Sequence, residues 1–175
     1  VVLMDADLRR PVIHSIFGMK KDNGLTNYLM DALSYEQMFK TTFLDNLFVI
    51  TSGVLPPNPS ELLASNKMEQ TLEKLNKDFD MVIIDSPPVI AVTDAAVIST
   101  KVDGTILVVS AGHTNRDAIG RADNLLKSVN AKQIGVLLNG VNVEGMYGSY
   151  YYYYYHHYYS KPAKKKKRVS RFFSV

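Results

Sequence analysis

The chain is predicted to be an α/β protein with a largely parallel sheet flanked by helices. Short β-branched apolar runs alternate with segments of helical spacing along residues 1–138. The apolar runs are continuous, as expected of strands buried on both faces. Two of them, Val1–Met4 and Met81–Ile84, are followed at once by an aspartate, Asp5 and Asp85. In an open parallel sheet, ligands bind just beyond the carboxyl ends of the strands.

Val1–Met4 is the first expected strand. Pro11 opens a short helical or turn segment through Phe17, and Gly18 ends it. Lys20 to Gly24 is a polar loop. Leu25, Leu29 and Leu33 recur at intervals of four, which predicts a helix over Thr26–Leu33. Ser34 is placed to cap a further turn, Tyr35–Phe39. Leu47–Thr51 is the second strand, and Ser52 to Asn58 form a rigid loop at its end. Asn58, Pro59 and Glu61 make a capping-box variant that starts the helix holding Leu62 and Leu63. A second amphipathic helix runs from about Lys67 to Lys77, with Met68, Leu72 and Leu75 on one face.

Met81–Ile84 is the third strand, and Pro87 and Pro88 stop it soon after. Thr93 is placed to cap a helix over Asp94–Ser99. Thr105–Val109 is the fourth strand. Thr114 to Val129 is a longer helix with Ile119, Leu125, Leu126 and Val129 as its stripe, and Gln133–Leu138 is the fifth strand. After Val143 the pattern breaks. Tyr147 is followed by Tyr150 to Tyr155, His156, His157, Tyr158 and Tyr159, a low-complexity tail. There is no internal repeat.

At 175 residues and 46% hydrophobic content, the chain suits one domain with a sizeable core. It has no cysteine, which excludes disulfides and thiolate metal sites and is compatible with a reducing cytosol. No apolar run approaches the roughly 18 residues of a membrane span. No signal peptide is visible. The formal charge of +3 divides unevenly: seven basic and no acidic residues lie in 160–175, leaving 13 basic against 17 acidic before them. The body is thus mildly acidic and the basicity belongs to the tail. Val1 is already inside a core-type strand, so further sequence is expected upstream.

The carboxylates carry the expected chemistry. Asp5 and Asp7 alternate on an extended segment and can address one site, with Arg9 beside them. Two carboxylates near a phosphate repel it unless a cation lies between, so the spacing implies Mg²⁺, although an aspartate after a strand also commonly caps a loop. Asp85 has a Walker-B-type position. Neither Gly-Lys-Ser, Gly-Lys-Thr nor Gly-x-Gly-x-x-Gly occurs in the 175 residues, so a phosphate cradle is lacking and triphosphate binding by this stretch alone is expected to be weak. The tail phenols are either phosphoryl acceptors or a compositional tract. The run Lys164–Arg168 suits anionic lipid, nucleic acid or an import signal, or is a solvated tail. His156 and His157 form a weak metal-binding candidate.

The stretches VVLMDADLRRPVIHSIFG, TSGVLPPNPSELLAS and MVIIDSPPVIAVTDA, with the terminal tyrosine cluster, resemble the bacterial tyrosine kinases of capsule and exopolysaccharide assembly across nearly all of residues 1–159. The resemblance implies a P-loop NTPase-like fold related to MinD and ParA, here truncated at the N-terminus. It implies an incomplete kinase domain over 1–145, a tyrosine-rich tail over 146–159 and a basic tail over 160–175. It implies ATP and Mg²⁺ as cofactors. Asp5 and Asp7 match the Walker A′ pair, Asp5 helping to deprotonate the incoming tyrosine and Asp7 supporting Mg²⁺. Asp85 matches the Walker B ligand of Mg²⁺, and Arg9 falls in the nucleotide-side motif. Tyr150, Tyr151, Tyr152, Tyr153, Tyr154, Tyr155, Tyr158 and Tyr159 match the autophosphorylated cluster. The resemblance further implies a homo-oligomeric ring phosphorylating in trans, a membrane adaptor of the chain-length-regulator type, a cognate phosphatase and no nucleic acid. The expected place is the cytoplasmic face of the membrane, through the adaptor. The family's Walker A motif and its strand are absent, so the stretch alone is expected to be inactive and its sheet to have a gap. The alternatives are a MinD/ParA-like ATPase without kinase activity, separated from a kinase by the tyrosine tail, and a catalytically dead phospho-acceptor.

Overall fold

Burial decides where the chain forms sheet. In the computed structural model, which describes residues 1–141, the first strand, β1 (Val2–Asp5), has Val2, Met4 and Asp5 fully buried. It lies between two parallel neighbours, β3 (Phe48–Ile50) and β4 (Val82–Asp85). A short strand, β2 (Phe39–Thr41), runs antiparallel on the outer side of β3, so the four-stranded order is β2-β3-β1-β4. β2 is not among the elements the sequence predicts: three residues following the 3₁₀ turn Glu36–Met38 are too few for a periodicity to register. That turn takes up most of the predicted segment Tyr35–Phe39.

The remaining strands, β5 (Thr105–Ser110) and β6 (Gln133–Asn139), pair in parallel as a separate two-stranded sheet. Among the described residues, β4 and β5 each have a strand on one side only. This corrects the expectation that Met81–Ile84 is buried on both faces, since Met81 is 56% and Ile83 47% exposed. A strand buries two faces only when its sheet continues past it and both faces are covered.

Helices α1 (Ile13–Ile16) and α2 (Leu25–Leu29) follow β1. The helix predicted over Thr26–Leu33 is shorter, because Met30 leaves helical geometry and Asp31 turns left-handed at φ 61°. The first-turn N–H groups of Leu25 and Thr26 donate to the carbonyls of Thr51 and Ser52 just past β3. This joins α2 to the β3 exit loop so closely that a Cβ on Gly24 would lie 2.1 Å from the Thr51 oxygen. The loop's Gly53 has φ +83°, which favours glycine.

Helices α3 (Pro59–Ala64) and α4 (Asn66–Asp78) lead to β4. Pro59 starts α3 as predicted, but Asn58 does not cap its backbone; the Asn58 amide donates instead to Glu61 at 2.7 Å. Ser65 caps α4 by accepting from the Met68 N–H. Helix α5 (Asp94–Ser99) crosses from β4 to β5, and α6 (Arg116–Ser128) from β5 to β6. The helix predicted from Thr114 starts at Arg116, capped by Asn115. Thr93 gives its hydroxyl to Ser60 rather than to the α5 backbone. The core lies around the four-stranded sheet and joins Met4, Leu8, Leu25, Met38, Ile50, Leu63, Met68, Leu75 and Ile98.

Candidate active site

The register of β1 against β4 builds the site. Residues opposite one another in a parallel pair present side chains to the same face of the sheet. Asp5 is the partner of Asp85, the last pair of a ladder that starts at Val2 and Val82. The ladder closes with the Ala6 N–H donating to the Asp85 carbonyl at 2.8 Å. The two predicted aspartates therefore finish adjacent strands side by side.

Asp5 is fully buried. Its Oδ2 accepts from the Ile13 N–H at 3.1 Å, which draws the start of α1 over the strand end. Its Oδ1 is buried and has no partner. Loss of solvent pushes the Asp5 carboxyl up to about 6, against the bond from Ile13, and the charges of Asp85 and Asp7 add to the rise. Asp85 is more open, and its carboxyl is also held above the usual range, by partial desolvation and then by Asp7. Asp7 turns back on its own loop, its Oδ1 accepting from the backbone N–H groups of Arg9 at 3.0 Å and Arg10 at 2.8 Å. The three predicted carboxylates thus share one electrostatic neighbourhood.

Arg9 is oriented differently from a side chain open to a nucleotide. Its Nε donates to Asp94 Oδ2 at 2.9 Å, and its Nη2 to Asp94 Oδ1 at 3.0 Å and Ser60 Oγ at 3.1 Å. Asp94 is fully buried; burial alone would raise its carboxyl, but the bonds from Arg9 and Ser60 and the Arg9 charge outweigh it and hold the group low. Sequence reasoning missed Asp94 and Ser60. An aspartate in the first turn of a helix is usual on dipole grounds alone, so nothing local marked it.

The residues fit a magnesium-bound polyphosphate better than a free metal ion. Among the described residues no three His, Cys, Asp or Glu side chains are gathered closely enough to hold a metal by themselves. Mg²⁺ is commonly bound by one or two carboxylates, with phosphate oxygens and water completing its shell. The unpartnered Asp5 Oδ1 is a buried acceptor of the kind such a site leaves waiting for a donor or cation. The tail tyrosines from Tyr150 to Tyr159, His156, His157 and Lys164–Arg168 lie outside the described residues.

The chain is 38% identical over 152 residues to tyrosine-protein kinase YwqD of Bacillus subtilis, covering 86% of this chain and 64% of that protein. It is 36% identical over 141 residues to a putative tyrosine-protein kinase in the cps region of Klebsiella pneumoniae, covering 81% of this chain and 20% of that one. The crystal structure of the VpsO kinase domain superposes with a TM-score of 0.76 at 34% identity, over 81% of this chain and 70% of that chain. This chain belongs to the bacterial tyrosine kinase family. The chimerical protein CapA2B2 is also similar, with a TM-score of 0.76 at 35% identity, over 78% of this chain and 61% of that chain. No family model matches. The septum site-determining protein MinD of Pyrococcus horikoshii, solved with Mg-ADP, superposes at 0.63 with 18% identity, over 78% of this chain and 56% of that chain. That likeness concerns the fold alone, and it agrees with the α/β P-loop NTPase-like architecture of this chain. The chain spans about two thirds of the length of the Bacillus relative and a fifth of the Klebsiella one.

Proposed function

We propose that the chain is the carboxylate-bearing and acceptor-bearing part of an ATP-dependent protein tyrosine autokinase serving capsule or exopolysaccharide assembly. The observation that carries the reading is the side-by-side ending of β1 and β4 in Asp5 and Asp85, with Asp7 in the same field. Asp7 and Asp85 would hold Mg²⁺, which when bound neutralises charge on the phosphates. Asp5, at about 6, is far better matched to taking a phenol proton near neutral pH than an ordinary carboxylate. The phenol oxygen of a tail tyrosine, Tyr150–Tyr155, Tyr158 or Tyr159, forms the new bond to phosphorus as the bond to the leaving diphosphate breaks. Transfer runs in trans within a ring of like chains, a phosphatase reverses it, and an adaptor holds the assembly at the cytoplasmic face of the membrane. The cps-region relative and the CapA2B2 chimera support the capsule and adaptor parts of this reading.

The phosphate cradle comes from outside the 175 residues. The split between the two sheets, with Met81, Ile83, Ile106 and Val108 all about half exposed, supports a cradle carried in on a further strand. The test is incubation with Mg-ATP and mapping of phosphotyrosine by mass spectrometry. The chain alone is expected to stay unmodified. The in-frame product extended upstream to include a Gly-Lys-Ser or Gly-Lys-Thr loop is expected to phosphorylate its tail, and to lose this on Asp85→Asn. ATP turnover by the extended product with an unmodified tail would favour a MinD-like ATPase. Tail phosphorylation only when an intact relative is added would make the chain a phospho-acceptor.

A further inference from the structure

We propose that Asp94 and Ser60 are positioning residues: with Arg9 they form a brace that ties together the three loops at the carboxyl edge of the sheet and thereby sets the Asp7 carboxylate. This rests on the reading of Asp7 as a metal-side carboxylate.

The geometry is that of a junction rather than a surface ion pair. Arg9 belongs to the loop after β1, Ser60 opens α3 at the end of the loop after β3, and Asp94 opens α5 at the end of the loop after β4. Asp94 accepts three bonds: Arg9 Nε on Oδ2, and both Arg9 Nη2 and Ser60 Oγ (2.5 Å) on Oδ1. Thr93 Oγ1 donates to Ser60 at 3.3 Å, a third contact around that hydroxyl beside those with Arg9 and Asp94. Two parallel N–H···O bonds from a planar fork to a fully buried carboxylate fix orientation as well as distance. The same residue, Arg9, donates its backbone N–H to Asp7 Oδ1, and Arg10 does likewise. Holding the Arg9 side chain therefore holds the backbone donors that aim Asp7. α3 and α5 also pack directly on one another, so the brace spans elements that are already neighbours.

Amide hydrogen exchange on the purified chain, without nucleotide or metal, tests this independently of kinase activity. In Ser60→Ala and Asp94→Asn, the Arg9 and Arg10 amides are expected to exchange about tenfold faster, while the α4 amides stay as in the wild type. Ser60→Thr, which keeps the hydroxyl, is expected to restore near-wild-type exchange, and Arg9→Lys, which keeps the charge without the fork, is not. If Asp94→Asn fails to fold, the Ser60 pair decides. Equal acceleration of the α4 amides, or a Ser60→Thr variant indistinguishable from Ser60→Ala, would overturn the brace. A chain that behaves as expected here but never phosphorylates its tail would leave the brace standing and sink the kinase reading.

Discussion

The two sheets of this chain are made of similar residues and meet different fates. In β1 and β3 the apolar side chains of Val2, Met4, Val49 and Ile50 are entirely buried. In β6, a longer strand, Ile134, Val136, Leu137 and Leu138 are each more than half exposed. The difference lies in neighbours. β1 has a strand on each side and helices around it, whereas among the described residues β6 has β5 as its one strand partner. Hydrophobic residues make a strand possible; only a covered sheet makes it a core.

The largest expected effect follows from that contrast. Met4→Ala should lower stability by about 3 kcal/mol, since a fully buried side chain leaves a cavity. Val136→Ser should change it by less than about 0.5 kcal/mol. Urea unfolding of both variants would measure this. A comparable cost for Val136 would mean that β6 is covered in solution.

Next comes Asp5. Its carboxyl is raised, so the folded state binds the proton more tightly than the unfolded chain, and this group favours folding below about pH 4 and loses that contribution as pH rises through about 6. Asp5→Asn is accordingly expected to stabilise the chain by about 2–3 kcal/mol at pH 8, with little effect at pH 4. Asp94 has the opposite sign: held low, it supports folding above the ordinary carboxylate range, and that support fades as pH falls through its depressed pKa. Melting temperatures from pH 3 to 8 for wild type, Asp5→Asn and Asp94→Asn would separate the two. An Asp5→Asn curve parallel to wild type across that range would refute the assignment.

A smaller effect is expected at the aromatic cluster beside the packed sheet. The Tyr35 hydroxyl donates to Asp78 at 2.8 Å, and the ring meets Phe39 edge-on at 5.0 Å. Tyr35→Phe keeps the ring and loses the bond, which should cost about 1 kcal/mol in the same unfolding assay. A loss as large as that of Met4→Ala would place Tyr35 in the packed core on more than its ring.

The strands that end in aspartate were legible because a buried apolar run followed by a carboxylate is a local signal. That Asp5 and Asp85 are register partners was not, since strand order is set by long-range packing. β2 escaped because it is short, and the length of α2 because its end is set by the left-handed turn at Asp31 rather than by its leucines. The Arg9–Asp94 pair joins residues 85 apart, and each of them alone has an ordinary local explanation. What the sequence left hidden was therefore mostly the pairing of distant segments, while the chemistry of the individual residues could be read directly.

The pairing of β1 with β4 also restricts how these strands can diverge. Side chains alternate between faces at every step, so deleting one residue within Val82–Ile84 would send the carboxylate of Asp85 through to the opposite side of the sheet, away from Asp5. Strand length here is subject to a parity rule: insertions and deletions can be absorbed in twos, or in the loops, but a single step separates the acids by the thickness of the sheet.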